Sequence, residues 1–436
     1  MVQAASTADI QRTIAFARAN GLPFAVRSGG HSYAGYSATE GVMIDLGRFA
    51  KVGFDAASRV STVGGGARTI DVAAALAPSG VVVPTGTCAS VGMSGLALGG
   101  GQGLTGRTFG LTCDSLRSVT IVTADGRIRT CDREREPDLF WASRGGGGGN
   151  FGVVTRMEFD THPLSDLTLF TLSWPWAAAA DVMAAWQTWA PAAADELWSD
   201  CHLLSRDPQG LTVSVNGAFT GSPGSLPALL DGLRSAVGGS APSTSIRTLA
   251  YLDSVLQEAG CIGWSVDGCR LPSQGSQGRL PREDSYAKSD FFSEPLAPAA
   301  LSALVASVER RATDDVLAGS TGGVVFDVWG GAITRPAPSA TAFVHRSGLF
   351  IGQYVASLAA GASAQAIARN RTWLRETYAA IHPSANGFAY QNYIDPELRG
   401  WEHAYYGPNL PRLRQVKAAV DPQDFFHFAQ SIPPAS

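Results

Sequence analysis

Fifty of the 436 residues are glycine, and many of them cluster at 92–103 and 145–149. Such clusters mark loops rather than low-complexity sequence. Glycine has no Cβ and tolerates positive φ, so a backbone rich in it can approach a ligand closely. Two reactive side chains sit in surroundings of this kind. His31 lies in Arg27-Ser28-Gly29-Gly30-His31-Ser32, and Cys88 in Pro84-Thr-Gly-Thr-Cys-Ala-Ser-Val-Gly92. An imidazole in one glycine loop and a thiol in another point to one ligand held by two covalent bonds.

The length exceeds one ordinary core and predicts two domains. With 45% apolar and 16% charged residues, the chain reads as a soluble globular protein. Net charge is -4 and no basic concentration appears, which argues against nucleic acid as a partner. No run of about 18 apolar residues is free of charges or turn residues, so no membrane span is predicted. No signal peptide is visible, and location is left open between cytoplasm and secretion. Ile10, Ile14 and Ala17 form the apolar face of an early helix capped by Ser6 or Thr7. A strand would normally precede such a helix, so the first domain is expected to lack its first strand.

Six cysteines occur without a Cys-x-x-Cys, and no zinc or other metal site is predicted. Cys261 and Cys269 flank a loop-like stretch compatible with a disulfide, which would mark an exported protein. Cys113 and Cys131 lie in strand-like segments and read as small buried side chains.

Residues 1–160 alternate helix and strand. Strands are read at 24–27, 42–46, 118–123 and 152–159, with a hairpin turn at Ala124-Asp125-Gly126. Past Pro163 the pattern changes. Strands at 167–174, 202–204, 211–219 and 323–328 are interleaved with helices around 179–191, 225–237, 297–311 and 364–381. That describes a sheet with helices on one face, a second α+β domain. The last 50 or so residues fit neither pattern. The divisions expected are 1–163, 164–383 and a returning segment, 384–436.

Gly101-Gln102-Gly103-Leu104-Thr105-Gly106 fits G-x-G-x-x-G, but it lacks the preceding strand and following helix of a dinucleotide fingerprint. The run Gly145 to Gly149 before Asn150 offers backbone N–H groups without side chains in the way. Aromatics on both sides favour a ligand cradle over a floppy surface loop.

Taken in order, Arg27–Ser32, Cys88–Gly103, Gly110-Leu-Thr-Cys-Asp114, Gly145–Thr155, Tyr390-Gln-Asn-Tyr-Ile-Asp395 and Ile432-Pro-Pro434 resemble the berberine bridge enzyme-like oxidases. These are FAD-linked oxidases of the vanillyl-alcohol oxidase/PCMH type. The resemblance implies an α+β fold: a PCMH-type FAD-binding domain of two α/β subdomains, and a substrate domain with a large antiparallel sheet covered by helices. It also implies FAD bonded twice, with His31 on the flavin 8α carbon and Cys88 on C6. Neutral imidazole and thiolate are the nucleophilic forms for this. Ser28, Gly29 and Gly30 would hold the pyrophosphate. Arg27, Ser32, Val91, Gly92, Gly95, Gly99, Asp114, Gly149, Asn150, Gly152, Val154 and Asn392 lie in the other segments implied to contact FAD.

Relatives of this type use tyrosine, aspartate or glutamate as base. Tyr390 and Tyr393 match the terminal Tyr-x-Asn-Tyr motif, but on a strand residues three apart point to opposite sides unless the backbone bends. Sugar-oxidising relatives carry tyrosine after the three glycines, where this chain has Gln102. Glutamine cannot be a base, although it can orient a substrate hydroxyl. His345, on an expected strand, reads as structural, while Asp327 and Trp329 are placed to line the pocket.

The function implied is hydride transfer to FAD from a hydroxyl-bearing carbon of a sugar, lactol or secondary-metabolite alcohol. Dioxygen would reoxidise the flavin and yield hydrogen peroxide. Two rivals stay open: a dehydrogenase acting on an amine or alkaloid or using another acceptor, and a non-catalytic flavin-binding protein. A pure binder needs no doubly bonded flavin, which argues against the last. Oligomeric state is not readable from the sequence.

Overall fold

In the computed structural model, which describes residues 1–206, 210–282 and 284–436, the chain opens with strand β1 (Val2–Gln3), helix α1 (Thr7–Ala19) and strands β2 (Phe24–Arg27) and β3 (Val42–Asp45). The Ser6 hydroxyl accepts from the Asp9 N–H, and the Asp9 carboxylate accepts from the Ser6 N–H, a reciprocal cap. Ile10, Ile14 and Ala17 pack with Ile44 and Leu46. The expectation that no strand precedes this helix is corrected. Val2 lies opposite Ile44 in parallel pairing, and the sheet order is β1-β3-β2. Two residues cannot carry an alternating pattern, so pairing alone makes this strand.

A second small sheet follows. Its parts are β4 (Val52–Asp55), β5 (Val60–Gly64), α2 (Thr69–Leu76), β6 (Val81–Val82), α3 (Met93–Leu98), α4 (Gly106–Phe109), β7 (Leu116–Val122), β8 (Ile128–Cys131), α5 (Pro137–Ala142), β9 (Val153–Asp160) and β10 (His162–Pro163). Five of them form an antiparallel sheet of order β4-β5-β9-β7-β8. The β7–β8 hairpin turns at Gly126, whose φ of 77° suits glycine. Cys131 is buried on β8, but Cys113 is not on a strand. It sits in a single helical turn, Thr112–Asp114, because its N–H and that of Thr112 donate to the Gly100 and Gly101 carbonyls.

The large sheet uses β11 (Asp166–Trp174), β12 (Leu197–Arg206), β13 (Gly210–Phe219), β14 (Ser243–Ala250), β15 (Ser285–Phe292), β16 (Gly322–Val328) and β17 (Phe350–Ser357). Between and after them run α6 (Ala179–Ala192), α7 (Leu226–Val237), α8 (Tyr251–Glu258), α9 (Pro298–Ala312) and α10 (Ala364–Ile381). The strand order is β14-β11-β13-β12-β16-β17-β15, antiparallel throughout. Alternation sorts the side chains. Cys201, Leu203, Val324 and Phe326 join Trp186 of α6 and Leu304 of α9 in one core. Asp200, His202 and Asp327 fall on the opposite face, with Asp200 directly across from Asp327.

Helices α11 (Trp401–Tyr406) and α12 (Leu410–Val420) bring the chain back to α5, where Leu413, Val416 and Val420 share a core with Leu139 and Phe140. Lys417 is fully buried, and its ammonium meets the Asp421 carboxylate at 2.7 Å and the carbonyls of Asn150 and Phe426 at 2.9 and 2.8 Å. A buried charge needs such partners, and these tie the C-terminal segment to the loop before β9. Buried Arg107 of α4 donates to the carbonyls of Trp329 and Ala193, stitching the second small sheet's region to the large sheet. Cys261 and Cys269 form a disulfide. Among the described residues no helix is long and apolar enough to cross a membrane.

Trp186 is fully buried, stands edge-on to Phe350 and donates its indole N–H to Ser199 at 3.0 Å. Trp186→Ala should cost about 3–5 kcal/mol in denaturant unfolding. A loss below about 1 kcal/mol would show that the sheet does not depend on this contact.

Candidate active site

The His31 and Cys88 loops touch because glycine allows it. A Cβ on Gly29 would lie 2.2 Å from the Gly92 nitrogen, and one on Gly92 would lie 2.3 Å from the Gly29 nitrogen. The Ser28 hydroxyl donates to the Gly65 carbonyl at 2.7 Å. Gly30 has φ 78°. His31 Nε2 lies 2.8 Å from the Ser90 hydroxyl, two residues from Cys88. From the first turn of α2, the Thr69 hydroxyl donates to the carbonyls of Cys88 and Ala89 at 2.6 and 2.8 Å, and its N–H to that of Val91. Cys88 is an exposed thiol outside the disulfide. His31 is also exposed to solvent, yet crowding by protein and the Arg282 charge lower its pKa and favour neutral imidazole.

Gly95 and Gly148 form another part of this surface. Both are exposed, and a Cβ on Gly95 would meet nothing within 4 Å, while one on Gly148 would lie 3.6 Å from Gly95 Cα. The glycine run offers fewer donors than its composition promised. The N–H groups of Gly145 and Gly147 both donate to the Leu98 carbonyl, and that of Gly146 to Ala142. The N–H groups of Gly148 and Gly149 take no part in these bonds. Gly145, Gly147 and Gly149 all have positive φ, so the run is a built turn.

Other residues from the sequence reading stand behind this surface. Asp114 takes a two-pronged ion pair from buried Arg346, at 2.7 and 2.8 Å, and a 3.0 Å bond from the Leu111 N–H. Asn150 accepts from the Ile432 N–H and donates to the Gly146 carbonyl. Gly152 lies against the Val122 carbonyl, and Val154 against Gly65. Asn392 fills the space that a side chain at Gly99 would take, and donates to the carbonyl of Leu96. Ser32 accepts from the Tyr36 N–H. His345 lies in a loop rather than on a strand, buried and stacked 4.5 Å from Phe291, with burial lowering its pKa to about 3.

Tyr390 and Tyr393 are not on a strand either. Residues Gln391–Tyr393 make a turn of 3-10 helix, so the two rings meet edge to face at 4.9 Å. Tyr390 is buried, and its hydroxyl accepts from the Gly101 N–H at 2.7 Å and the Asn392 amide at 3.0 Å. It thereby fixes the glycine loop. The Tyr393 hydroxyl accepts from the Gln102 amide at 3.3 Å, and its ring faces Tyr33 at 5.9 Å. Tyr33 in turn accepts from Gln353 of β17, which joins the His31 loop to the large sheet.

Gln102 also lies close enough to the Asp327 carboxylate to favour its charged form. Burial and then the neighbouring Asp200 charge push Asp327 up to about 8. His202 Nε2 lies 2.9 Å from Asp200; burial opposes its protonation, but Asp200 outweighs that and raises its pKa. Glu258, at the end of α8, is solvent-exposed, yet crowding and the Asp200 charge push it up to about 7. Sequence reasoning placed Asp327 at the pocket but missed Asp200, His202 and Glu258. Only the alternation along β12 could have flagged the first two.

Residues 1–132 match the model of an FAD binding domain, and residues 389–433 that of the berberine and berberine-like segment. A FAD-linked oxidoreductase of Bacillus subtilis, YgaK, is 33% identical over 98% of this chain and 89% of its own. The chain belongs to the berberine bridge enzyme-like FAD-linked oxidoreductases. Chitooligosaccharide oxidase of Gibberella zeae is 30% identical over 98% of this chain and 86% of the relative. The solved structure of Physcomitrella patens BBE-like 1 superposes with TM-score 0.89 at 28% identity, covering 100% of this chain and 91% of that one. The protein is thus an FAD-binding oxidoreductase with the expected α+β fold and large antiparallel sheet. Its residues fit that cofactor: the open space over Gly95 and Gly148, and the two accessible nucleophile-bearing loops, suit a ligand pressed against backbone.

The raised Asp327 has a stability consequence. Between about pH 4, where an unfolded aspartate ionises, and about 8, the folded state holds the extra proton, so ionising Asp327 destabilises the fold as pH rises. The stability of Asp327→Asn relative to wild type should therefore grow across that window and level off above it. Melting curves at several pH values measure this, and a flat difference would refute it.

Proposed function

We propose that this protein oxidises a hydroxyl-bearing carbon of a sugar, lactol or related alcohol, with FAD bonded to His31 at its 8α carbon and to Cys88 at C6, and dioxygen as final acceptor. The observation that carries the reading is a run of contacts. Tyr33, two residues after His31, faces the Tyr393 ring at 5.9 Å and accepts from Gln353 of the large sheet, and Tyr393 accepts from Gln102. Similarity to chitooligosaccharide oxidase supports a carbohydrate-like substrate. FAD, when bound, supplies the two-electron acceptor.

The protein's own task is then the hydroxyl proton. Burial, and after it the Asp327 charge, raise Tyr393 well above an ordinary phenol, so near neutrality it keeps its proton and donates a hydrogen bond. Tyr390 is committed to Gly101 and Asn392. Asp327, at about 8, is the group matched to accept a proton near neutral pH. This reading moves the base from the tyrosine motif to the sheet, with Tyr393 and Gln102 orienting the substrate hydroxyl beside it. His202 and Asp200 border the same face and bind further polar groups of the substrate.

Asp327→Asn should slow flavin reduction by about 10²–10⁴ in stopped-flow mixing while flavin content stays normal. In wild type, kcat/KM should rise with pH toward about 8, because the ionised carboxylate is the acceptor. Reduction of Asp327→Asn at the wild-type rate would place the base elsewhere. Separately, a denaturing gel should show flavin fluorescence in the protein band. A dark band, with all FAD released by acid, would exclude covalent attachment. Peroxide formed under air on substrate addition tests the oxidase assignment.

A further inference from the structure

The two loops that carry His31 and Cys88 meet a third segment that the function above does not use. It runs from the Cys261–Cys269 disulfide to Arg282 and arrives from the substrate side of the chain. From it the Gln274 side chain donates to the Gly29 carbonyl at 3.1 Å and to the Ser90 carbonyl at 3.2 Å. Gly29 stands two residues before His31, and Ser90 two residues after Cys88. Both partners are carbonyl oxygens, which only accept, so the amide NH2 must face them and each of its protons has one carbonyl. The Gln274 carbonyl end is held in turn by the Leu271 N–H at 3.4 Å.

The segment itself is pinned at several points. Arg270 pairs with Asp71 of α2 at 2.7 Å, and Asp71 caps the same helix whose Thr69 holds the Cys88 carbonyl. The Leu280 N–H donates to the Arg270 carbonyl and the Arg279 N–H to that of Gly268, closing the strap on itself. Arg279 stacks 4.2 Å over Trp264, inside the disulfide loop. Arg282 then ends near His31 and disfavours its protonation.

We propose that Gln274 is a positioning residue for cofactor attachment: it clamps the His31 and Cys88 loops at one separation, so that both nucleophiles reach the same flavin. The inference rests on the doubly bonded FAD proposed above. Each attachment replaces one C–H of the flavin by a C–N or C–S bond. The hydrogen of that C–H and the proton of the imidazole or thiol leave as protons. Two electrons remain on the flavin, and dioxygen removes them with two protons as hydrogen peroxide. The second bond therefore forms only if its nucleophile still faces the ring after the first has formed. Without the clamp, the loops keep the Gly29–Gly92 approach and the His31–Ser90 contact but lose two of the bonds that fix their separation, so the second nucleophile faces the ring less often.

The test uses full-length protein purified with its flavin, as wild type, Gln274→Ala and Gln274→Glu. Glutamate keeps the size of the side chain but cannot donate when ionised. Each protein is digested, and the flavin-bearing peptides are weighed. Thermal melting of the undigested protein follows the fold. In wild type, the His31 and Cys88 peptides should be joined through one flavin. In both variants the joined share should fall about tenfold against singly bonded peptide, since two amide hydrogen bonds are lost, with a single cooperative melting transition retained within a few degrees of wild type. A joined share equal to wild type in both variants overturns the proposal and leaves covalent attachment standing. Loss of flavin together with collapse of the melting transition in both variants assigns Gln274 to the fold and also overturns it. Wild-type peptides without flavin overturn the attachment itself.

Discussion

The close approach of Gly29 to Gly92 is the contact on which the site depends. Two backbones pass so near each other that a Cβ on either one would strike the other's nitrogen. Only glycine permits this, because any side chain would need space the partner occupies. The approach sets the His31 and Cys88 loops side by side, and the Ser90 hydroxyl and Gln274 amide then hold them there. Gly65 extends the same logic one layer down, where Val154 and the hydroxyls of Ser28 and Ser94 close on it.

Behind these loops lie buried charges held by hydrogen bonds from distant parts of the chain. Arg346 grips Asp114 and the Ile333 carbonyl, Lys417 holds the segment around Asn150, and Arg107 reaches across to Trp329 and Ala193. A buried ion is costly unless it is partnered, so each of these side chains favours one arrangement of the elements it joins. The sheet face opposite works differently. Burial, and after it the charge of Asp200, raises Asp327 and Glu258 toward neutrality. On the proposed function, the shell would hold the cofactor and the acidic face would handle the proton.

Much of the fold was legible because it obeys local rules. Alternation announced β11, β13 and β16, helical spacing announced α6, α7, α9 and α10, and Ala124-Asp125-Gly126 announced a hairpin. What escaped had no periodic signal. Val2–Gln3 is a strand only because Ile44 lies beside it. Tyr390 and Tyr393 share a side because one turn of 3-10 helix separates them, where a strand would have parted them. Asp114, Asn150 and Asn392 sit in motif segments, and only the fold shows that their side chains bond to Arg346, Ile432 and Leu96.

The sequence by itself determined that two nucleophiles stand in glycine loops, and that the chain ends resemble FAD-linked oxidases. These are properties of neighbouring residues, and neighbours are what a sequence displays. Tertiary structure decided which groups meet. Asp200 and Asp327 are 127 positions apart in the chain and face each other only through strand pairing. Gln274 reaches Gly29 and Ser90 only because a disulfide-closed strap folds back over them. Registry and chain reversal set those distances, and neither leaves a mark in the local order of residues.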